Sequence, residues 1–182
     1  MIQRFRLGWR GEGDKAISES EQNEIRFEQE YIDFLEDLFP KLKGEGYCPT
    51  SEKSDRPNCI GWALYDKNQY WDPDLIGVKG YYWPPGVPRT HTLNSWTKVF
   101  ELHGYRICRH SELEPGFEKV ALYVTPGTNI PEHVARQKAS GKWVSKLGTG
   151  ADIEHNTLNG LSGDFYGVPV RYMKRPRLPG AE

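Results

Sequence analysis

Cys59 is the residue of this sequence best placed to act as a nucleophile. It follows Asn58, a favourable N-cap residue, and opens an apolar run that continues through Leu64. We predict a short buried helix beginning at Cys59, because a segment that is apolar on all sides belongs in a core. A thiol in the first helical turn lies near unpaired backbone N–H groups, which lower its pKa and favour the thiolate. The same position also suits a cysteine that is only a small core residue.

His133 is the candidate partner for that thiol. Ser140 and Gly141 predict a two-residue hairpin turn, which pairs the flanking strands so that His133 lies opposite Gly148. A histidine facing a residue without a side chain has room above it for a thiolate and a substrate. In this register Ser145 faces the other side of the sheet. Taken alone, such a histidine is more typical of an exposed sheet edge.

Two more titratable residues follow, Asp152 and His155. We predict a short helix over 151–161, in which residues three apart share a face, so that these two side chains and His133 could ligate a metal ion. The sequence contains no CxxC, HExxH or Cys/His ribbon spacing, which weakens that hypothesis. Asp152 equally suits a helix cap, and His155 equally suits the surface.

The remaining pattern predicts the elements that must position these residues. Ser18 and Glu21 form a capping box for an acidic amphipathic helix that ends before Pro40, and Thr92 caps a helix that ends at Gly104. The predicted strands are 105–108, 117–125, 132–138, 142–147 and 166–173. Helices that precede strands indicate an α+β fold with a mostly antiparallel sheet.

Residues 65–88 are rich in aromatic residues and proline and show no helical or strand period. We predict long ordered loops, because this many aromatic side chains disfavour disorder. Such side chains, Trp83 among them, could line a substrate cleft or stack on a peptide or sugar ring. They could equally form a minor core that holds the loops in place.

Composition sets the class of protein. With 182 residues, 37% hydrophobic and 27% charged, the chain is expected to form one domain, and a formal net charge of -1 does not favour nucleic acid or an anionic membrane as partner. Three cysteines, Cys48, Cys59 and Cys108, make an odd count that indicates free thiols in a reducing compartment. No apolar signal segment or membrane-spanning run is present. We expect a cytoplasmic protein without a cofactor.

The chain has three predicted regions. Residues 1–50 contain an N-terminal arm and the acidic helix, residues 51–176 form the core of the domain, and residues 177–182 are a tail. The acidic helix is most simply a solvated surface, and contact with a protein partner is the second interpretation.

Four segments carry a resemblance to a known family. They are PNCIGWAL at 57–64, EKVALYV at 118–124, EHVARQKASGKWVSKLG at 132–148 and DIEH at 152–155. In this order they resemble papain-like cysteine peptidases, most closely the branch that contains the NlpC/P60 cell-wall peptidases and related amidases. The chain also looks like an uncharacterised bacterial domain family over residues 50–176.

The resemblance implies a papain-like fold, in which N-terminal helices and the buried helix that bears Cys59 pack on the sheet. It implies a cysteine hydrolase or acyltransferase that acts on the amide bond of a peptide-like substrate. Cys59 would be the nucleophile and His133 the general base and acid, with the Cys59 N–H in the oxyanion hole. Either Asp152 or His155 would orient His133, and the second oxyanion donor is unassigned.

The candidate substrate-binding residues are Asn58, Trp62, Trp83 and Trp143. A different class of function also fits the same fold. Aromatic loops on a papain-like scaffold without catalysis would make a peptide- or glycan-binding module.

Overall fold

The computed structural model describes residues 19–74 and 80–180. The predicted N-terminal arm and the capping residue Ser18 lie outside the described residues. The elements in chain order are α1 (Glu19–Leu38), α2 (Leu42–Glu45), β1 (Tyr47–Pro49), α3 (Cys59–Ala63), α4 (Leu93–Leu102), β2 (Arg106–Cys108), β3 (Phe117–Val124), β4 (Pro131–Gln137), β5 (Trp143–Lys146), β6 (Asp152–His155) and β7 (Val168–Pro176). A single 3-10 turn, Leu158–Leu161, separates β6 from β7.

The strands form one seven-stranded sheet in the order β1-β6-β5-β4-β3-β7-β2, and every neighbouring pair is antiparallel. The predicted α+β class with an antiparallel sheet is therefore confirmed. β3 lies between β4 and β7 and is buried along most of its length, as its nearly continuous apolar sequence predicts.

The sheet separates two hydrophobic cores, because successive side chains of a strand point to opposite faces. One core, here the α3/α4 core, contains Cys59 and Val134, and the other, the α1/α2 core, contains Ala135. Leu35, at the end of α1, and Leu42, at the start of α2, are buried in the α1/α2 core. β4 therefore contributes side chains alternately to the two cores.

α1 ends before Pro40, as predicted. The side chain of Leu35, near the end of α1, packs in the α1/α2 core, whereas that of Phe34 is exposed. Within the described residues, none of the helices has both the length and the apolar character needed to cross a bilayer.

Helix α3 is held at both ends. Asn58 is its N-cap, as predicted, since its side chain accepts the N–H of Gly61 at 3.2 Å. The Asn58 amide also donates to the carbonyl of Trp71 at 2.6 Å, which joins the start of the helix to the aromatic loop. Tyr65, just after the helix, donates its hydroxyl to the buried carboxylate of Glu118 on β3. The position of Cys59 is thus set by contacts on either side of a five-residue helix.

The aromatic loops act mainly as core. Trp71 and Trp83 are both buried in the α3/α4 core, and the Trp83 indole donates to the carbonyl of Pro88 at 3.2 Å. Between α3 and α4 the described residues contain no helix or strand, and Trp71 and Tyr82 form only an isolated bridge. The prediction of ordered loops without regular structure is confirmed for this part of the chain.

The turn between β4 and β5 is one residue longer than predicted. The N–H of Lys138 donates to the carbonyl of Lys142 at 2.8 Å, so the loop consists of residues 139–141 and not of Ser140 and Gly141 alone. Gly141 has a φ of 88°, a left-handed value that suits the last position of a three-residue hairpin loop and that glycine adopts without strain. Two- and three-residue loops share the same serine-glycine signal, so the sequence pattern does not separate them.

This loop shifts the register of β5 by one residue, which moves each of its side chains to the other face of the sheet. Trp143 pairs with Gln137, and Ser145 consequently lies on the same face as His133. The prediction that Ser145 faces away from His133 is wrong. The predicted pairing of His133 with Gly148 is also wrong, since Gly148 lies beyond the end of β5.

The predicted helix over 151–161 is replaced by strand β6 and the 3-10 turn. In β6 burial alternates with a period of two residues, with Ile153 and His155 buried and Asp152 and Glu154 half-buried. This is the pattern of a strand, because a helix would bury residues three or four apart. Asp152 and His155 therefore point to opposite faces of the sheet.

Candidate active site

Cys59 lies at the first position of α3 and is 9% exposed. Burial raises the pKa of its thiol to about 11, although the backbone N–H groups of Val134, Ile60 and Cys59 itself act to lower it. The prediction that the pKa of Cys59 is lowered is wrong, because desolvation of the thiol outweighs the effect of the N-terminus of a helix that is only five residues long. In this closed conformation Cys59 is a neutral thiol at neutral pH.

Cys59 is close to the backbone of β4 immediately after His133. The strongest of the N–H groups that act on its sulfur belongs to Val134, and α3 contacts both β4 and β5. The ladder between those strands joins only residues 136–137 to 143–144. Helix α3 therefore lies against the part of β4 that bears His133 and Val134.

His133 is completely buried on the α1/α2 side of the sheet, beneath two aromatic rings. Its imidazole stacks on Tyr166 with a centroid distance of 4.1 Å and an interplanar angle of 11°, and it meets Tyr123 edge-on at 5.5 Å. Burial and the nearby His155 lower the pKa of His133 to about 3, so the ring is neutral near pH 7.

Ser145 connects His133 to His155. Its Oγ lies 3.0 Å from Nε2 of His133 and 3.0 Å from Nε2 of His155, and Nδ1 of His155 lies 2.7 Å from the carbonyl oxygen of Thr157. Burial also lowers the pKa of His155 to about 4, so this ring is neutral as well. The four residues form a buried chain of hydrogen bonds that ends on a backbone carbonyl.

The chain determines where the protons lie. A carbonyl only accepts, so Nδ1 of His155 carries a hydrogen and its Nε2, in a neutral ring, is an acceptor. The Ser145 hydroxyl has one hydrogen, which it donates to His155, and its oxygen accepts Nε2–H of His133. Nδ1 of His133 then has a free lone pair. It is buried and has no hydrogen-bond partner among the residues that the structure describes.

Nε2 of His133 is therefore held by an oriented partner, while the lone pair on its Nδ1 is unused. No hydrogen bond links Nδ1 to Cys59 in the described part of the chain, although the Val134 N–H places the sulfur beside the same strand.

Of the two predicted orienting residues, His155 belongs to the His133 chain and Asp152 does not. His155 acts through Ser145, whereas Asp152 lies on the opposite face of β6, paired with Lys146 of β5. The alternative metal site of His133, Asp152 and His155 is therefore not assembled. Across residues 19–74 and 80–180, no three His, Cys, Asp or Glu side chains are grouped so as to hold a metal ion.

The four predicted substrate-binding residues are buried or half-buried. Asn58 is committed to capping α3, and Trp83 and Trp143 are buried in the two different cores. Trp62 is half-buried, and its ring is covered by the guanidinium of Arg136 at 4.6 Å. In this conformation their contacts are structural.

Two residues of the site were missed from the sequence, Ser145 and Tyr166. The correct hairpin register alone would have identified Ser145, since it places that hydroxyl beside His133. Tyr166 lies 33 positions after His133 in the sequence, in a loop without a periodic pattern. No local sequence signal links the two rings.

The comparisons with known proteins give a family and no activity. No curated protein and no solved structure matches the chain. Residues 49–174, which include α3 and the whole His133 chain, match the family model described as a domain of unknown function, DUF7689. This match spans well over half of the 182 residues, and the chain belongs to the DUF7689 family.

Proposed function

We propose that this protein is a papain-like cysteine hydrolase or acyltransferase that acts on an amide bond of a peptide-like substrate. The observation that carries the proposal is the state of His133, whose Nε2 is held by Ser145 while its Nδ1 keeps an unused lone pair. A buried imidazole with one fixed and one free nitrogen is suited to proton transfer, and Cys59 is the thiol nearest in the fold to that strand.

The proposed reaction uses the stretch of β4 beyond its last ladder pair with β5, where the Val134 N–H meets the Cys59 sulfur and no β4–β5 pairing lies between the two cores. Nδ1 of His133 takes the proton of the Cys59 thiol as the sulfur attacks the amide carbon, and the carbonyl π electrons move to the oxygen. The N–H of Cys59 stabilises that oxyanion. The imidazolium of His133 then gives its proton to the leaving amine as the C–N bond breaks, which leaves a thioester on Cys59. Attack by water completes hydrolysis, and attack by another amine completes acyl transfer.

Because the Cys59 thiol and the His133 imidazole are both neutral before substrate binds, the proton moves from Cys59 to His133 only during the reaction. A thiol with a pKa of about 11 and an imidazole with a pKa of about 3 do not form an ion pair on their own. The pair becomes reactive when substrate dipoles or water enter and reduce the desolvation of both groups.

The same burial favours a second candidate function. His133 is 0% exposed and Cys59 is 9% exposed, as expected if both were core residues. The second candidate is a peptide- or glycan-binding module on this fold, in which the His133 chain only stabilises the sheet.

Turnover by matched variants separates the two functions. Aminocoumarin amides of single amino acids and short peptides serve as probes, with mass spectrometry of the intact protein to detect a thioester. We expect Cys59→Ser to reduce turnover by about a thousandfold while the exposed Cys48→Ala, the matched control, leaves it unchanged. Turnover that survives in Cys59→Ser would rule out the thiol mechanism, and its absence from the wild type on every probe would favour the binding module.

A further inference from the structure

A surface cleft lies outside the site described above, separated from the buried His133 by Tyr166. It runs between the end of α1 and residues 162–165, and its lining includes Leu38, Pro40, Lys41 and Phe165. Phe165 is 53% exposed at the wall of this cleft. Neither Cys59 nor His133 reaches the cleft lining.

A row of aromatic rings connects this cleft to His133. Phe165 meets Phe39 edge-on at 5.7 Å and Tyr166 at 4.9 Å, and Phe39 lies 5.0 Å from Tyr166. Tyr166 in turn stacks on His133 at 4.1 Å. Tyr166 is thus the one ring between the exposed Phe165 and the imidazole.

Tyr166 belongs to a short loop, residues 162–167, that is closed at its base. Gly163 and Gly167 exchange two backbone hydrogen bonds of 3.0 and 2.8 Å. Gly167 packs so closely on β3 that a Cβ there would lie 2.0 Å from the carbonyl oxygen of Val124. The base of the loop is therefore fixed, while its tip carries Phe165 and Tyr166.

The Tyr166 side chain is held by packing in the α1/α2 core, with the rings of Phe39, Phe165 and His133 against it. It is 7% exposed, and within the described part of the chain no hydrogen bond restrains its hydroxyl. The Cys59 sulfur lies at the N–H of Val134, the residue next to His133, and a Cys59 thiolate would add to burial in raising the pKa of Tyr166. Because its hydroxyl is unbonded, the Tyr166 side chain can leave its place over His133 without breaking a hydrogen bond of its own.

We propose that Tyr166 is the gating and positioning residue of this site: in place it holds the His133 imidazole, and its movement toward the cleft at Phe165 admits the substrate amide to Cys59. This inference rests on the proposed function for the identity of the substrate. The gate itself is a property of the protein without substrate.

Alkylation of Cys59 in the native chain tests the gate. Full-length protein is treated with iodoacetamide in increasing urea, and modification of each cysteine is followed by peptide mass spectrometry. A gate opens locally and exposes little surface, so we expect Cys59 labelling that is independent of urea well below the unfolding transition. The proposal would be overturned if the rate of Cys59 labelling increased with urea as steeply as global unfolding does.

Two variants test the role of the ring. We expect Tyr166→Ala to accelerate Cys59 labelling by about tenfold, while Tyr166→Phe, which keeps the ring and its stacking, labels like the wild type. An equal rate in Tyr166→Ala at an unchanged thermal midpoint would contradict the gate. If Tyr166→Ala does not fold, the urea dependence of the wild type decides alone. Local labelling without turnover on any amide would overturn the proposed function and leave the gate intact.

Discussion

His133 and His155 share one hydroxyl group, with Ser145 Oγ lying 3.0 Å from Nε2 of each imidazole. A hydroxyl has a single hydrogen, so it can serve both rings only by donating to one and accepting from the other. The carbonyl of Thr157 at the far end decides the direction. The tautomer of the buried His133 is therefore set by a backbone atom beyond β6, three residues away in the hydrogen-bond chain.

Replacement of Ser145 by alanine should affect both stability and activity. The variant leaves Nε2 of two buried imidazoles without a partner, so we expect a loss of about 1–3 kcal/mol in the free energy of unfolding. Because His133 loses its orienting partner, kcat on any productive amide should fall by up to about 100-fold. Urea unfolding and steady-state kinetics measure the two effects. Ser145→Thr, which keeps the hydroxyl, is the matched control, and a Ser145→Ala protein as stable as the wild type would contradict the chain.

The buried histidines predict acid sensitivity. Their folded pKa values of about 3 and about 4 lie below the ordinary value of 6.5, so the unfolded chain binds protons that the folded chain does not. The two neutral histidines therefore contribute their full stabilisation only above about pH 6.5. As the pH falls toward 4, the free energy of unfolding decreases, by about 2 kcal/mol per histidine between pH 7 and pH 5.

Urea unfolding at a series of pH values measures how steeply the free energy of unfolding depends on pH. His155→Gln removes one of the two buried neutral imidazoles and should make the dependence of the unfolding free energy on pH less steep. Equal slopes in wild type and His155→Gln would show that His155 is not buried in its neutral form.

Glu118 is expected to be the acidic residue most important for stability. Its carboxylate is fully buried and is bonded by Arg175 at 3.1 Å and by the hydroxyls of Tyr65 and Tyr105. Glu118→Gln removes the charge opposite buried arginine and should cost about 3–5 kcal/mol in the free energy of unfolding. Glu154, which pairs with two lysines nearer the surface, provides the control, and Glu154→Gln should cost about 0–1 kcal/mol. Comparable losses would mean that the Glu118 network is not desolvated.

The two glycines that close the 162–167 loop should respond differently to alanine. A Cβ at Gly167 would meet the Val124 carbonyl at 2.0 Å, and its φ of 74° is unfavourable for alanine, so Gly167→Ala should be destabilised by several kcal/mol. Gly163 has open space around its Cβ position and no left-handed φ, so Gly163→Ala should stay within about 1 kcal/mol of the wild type. Thermal unfolding of the pair is the measurement, and similar midpoints would contradict the packing at Gly167.

Local rules predicted much of the fold. The side chains of Asn58 and Thr92 cap α3 and α4 as expected from their types, and the apolar run over 117–125 forms the buried strand β3. These features depend on a few neighbouring residues, for which sequence patterns carry the information.

The details of the candidate site depend on relationships between distant residues that local sequence patterns do not contain. The burial of Cys59 counteracts the helix end that was expected to activate it, and burial is a property of the whole fold. The sequence predicts a helix at His155 and not strand β6, because residues 152–155 are too few to show a period of their own. The contact between His133 and Tyr166 joins distant segments that share no motif.

The length of the loop at 139–141 decides which side chain of β5 lies beside His133. If the same sequence closed with the two-residue turn Ser140-Gly141, β5 would advance by one position and Lys146 would take the place of Ser145. The lysine would bring an amine to the imidazole in place of a hydroxyl. The conformation of one surface loop therefore determines the hydrogen-bond partner of a buried histidine, although every strand of the sheet is present in either register.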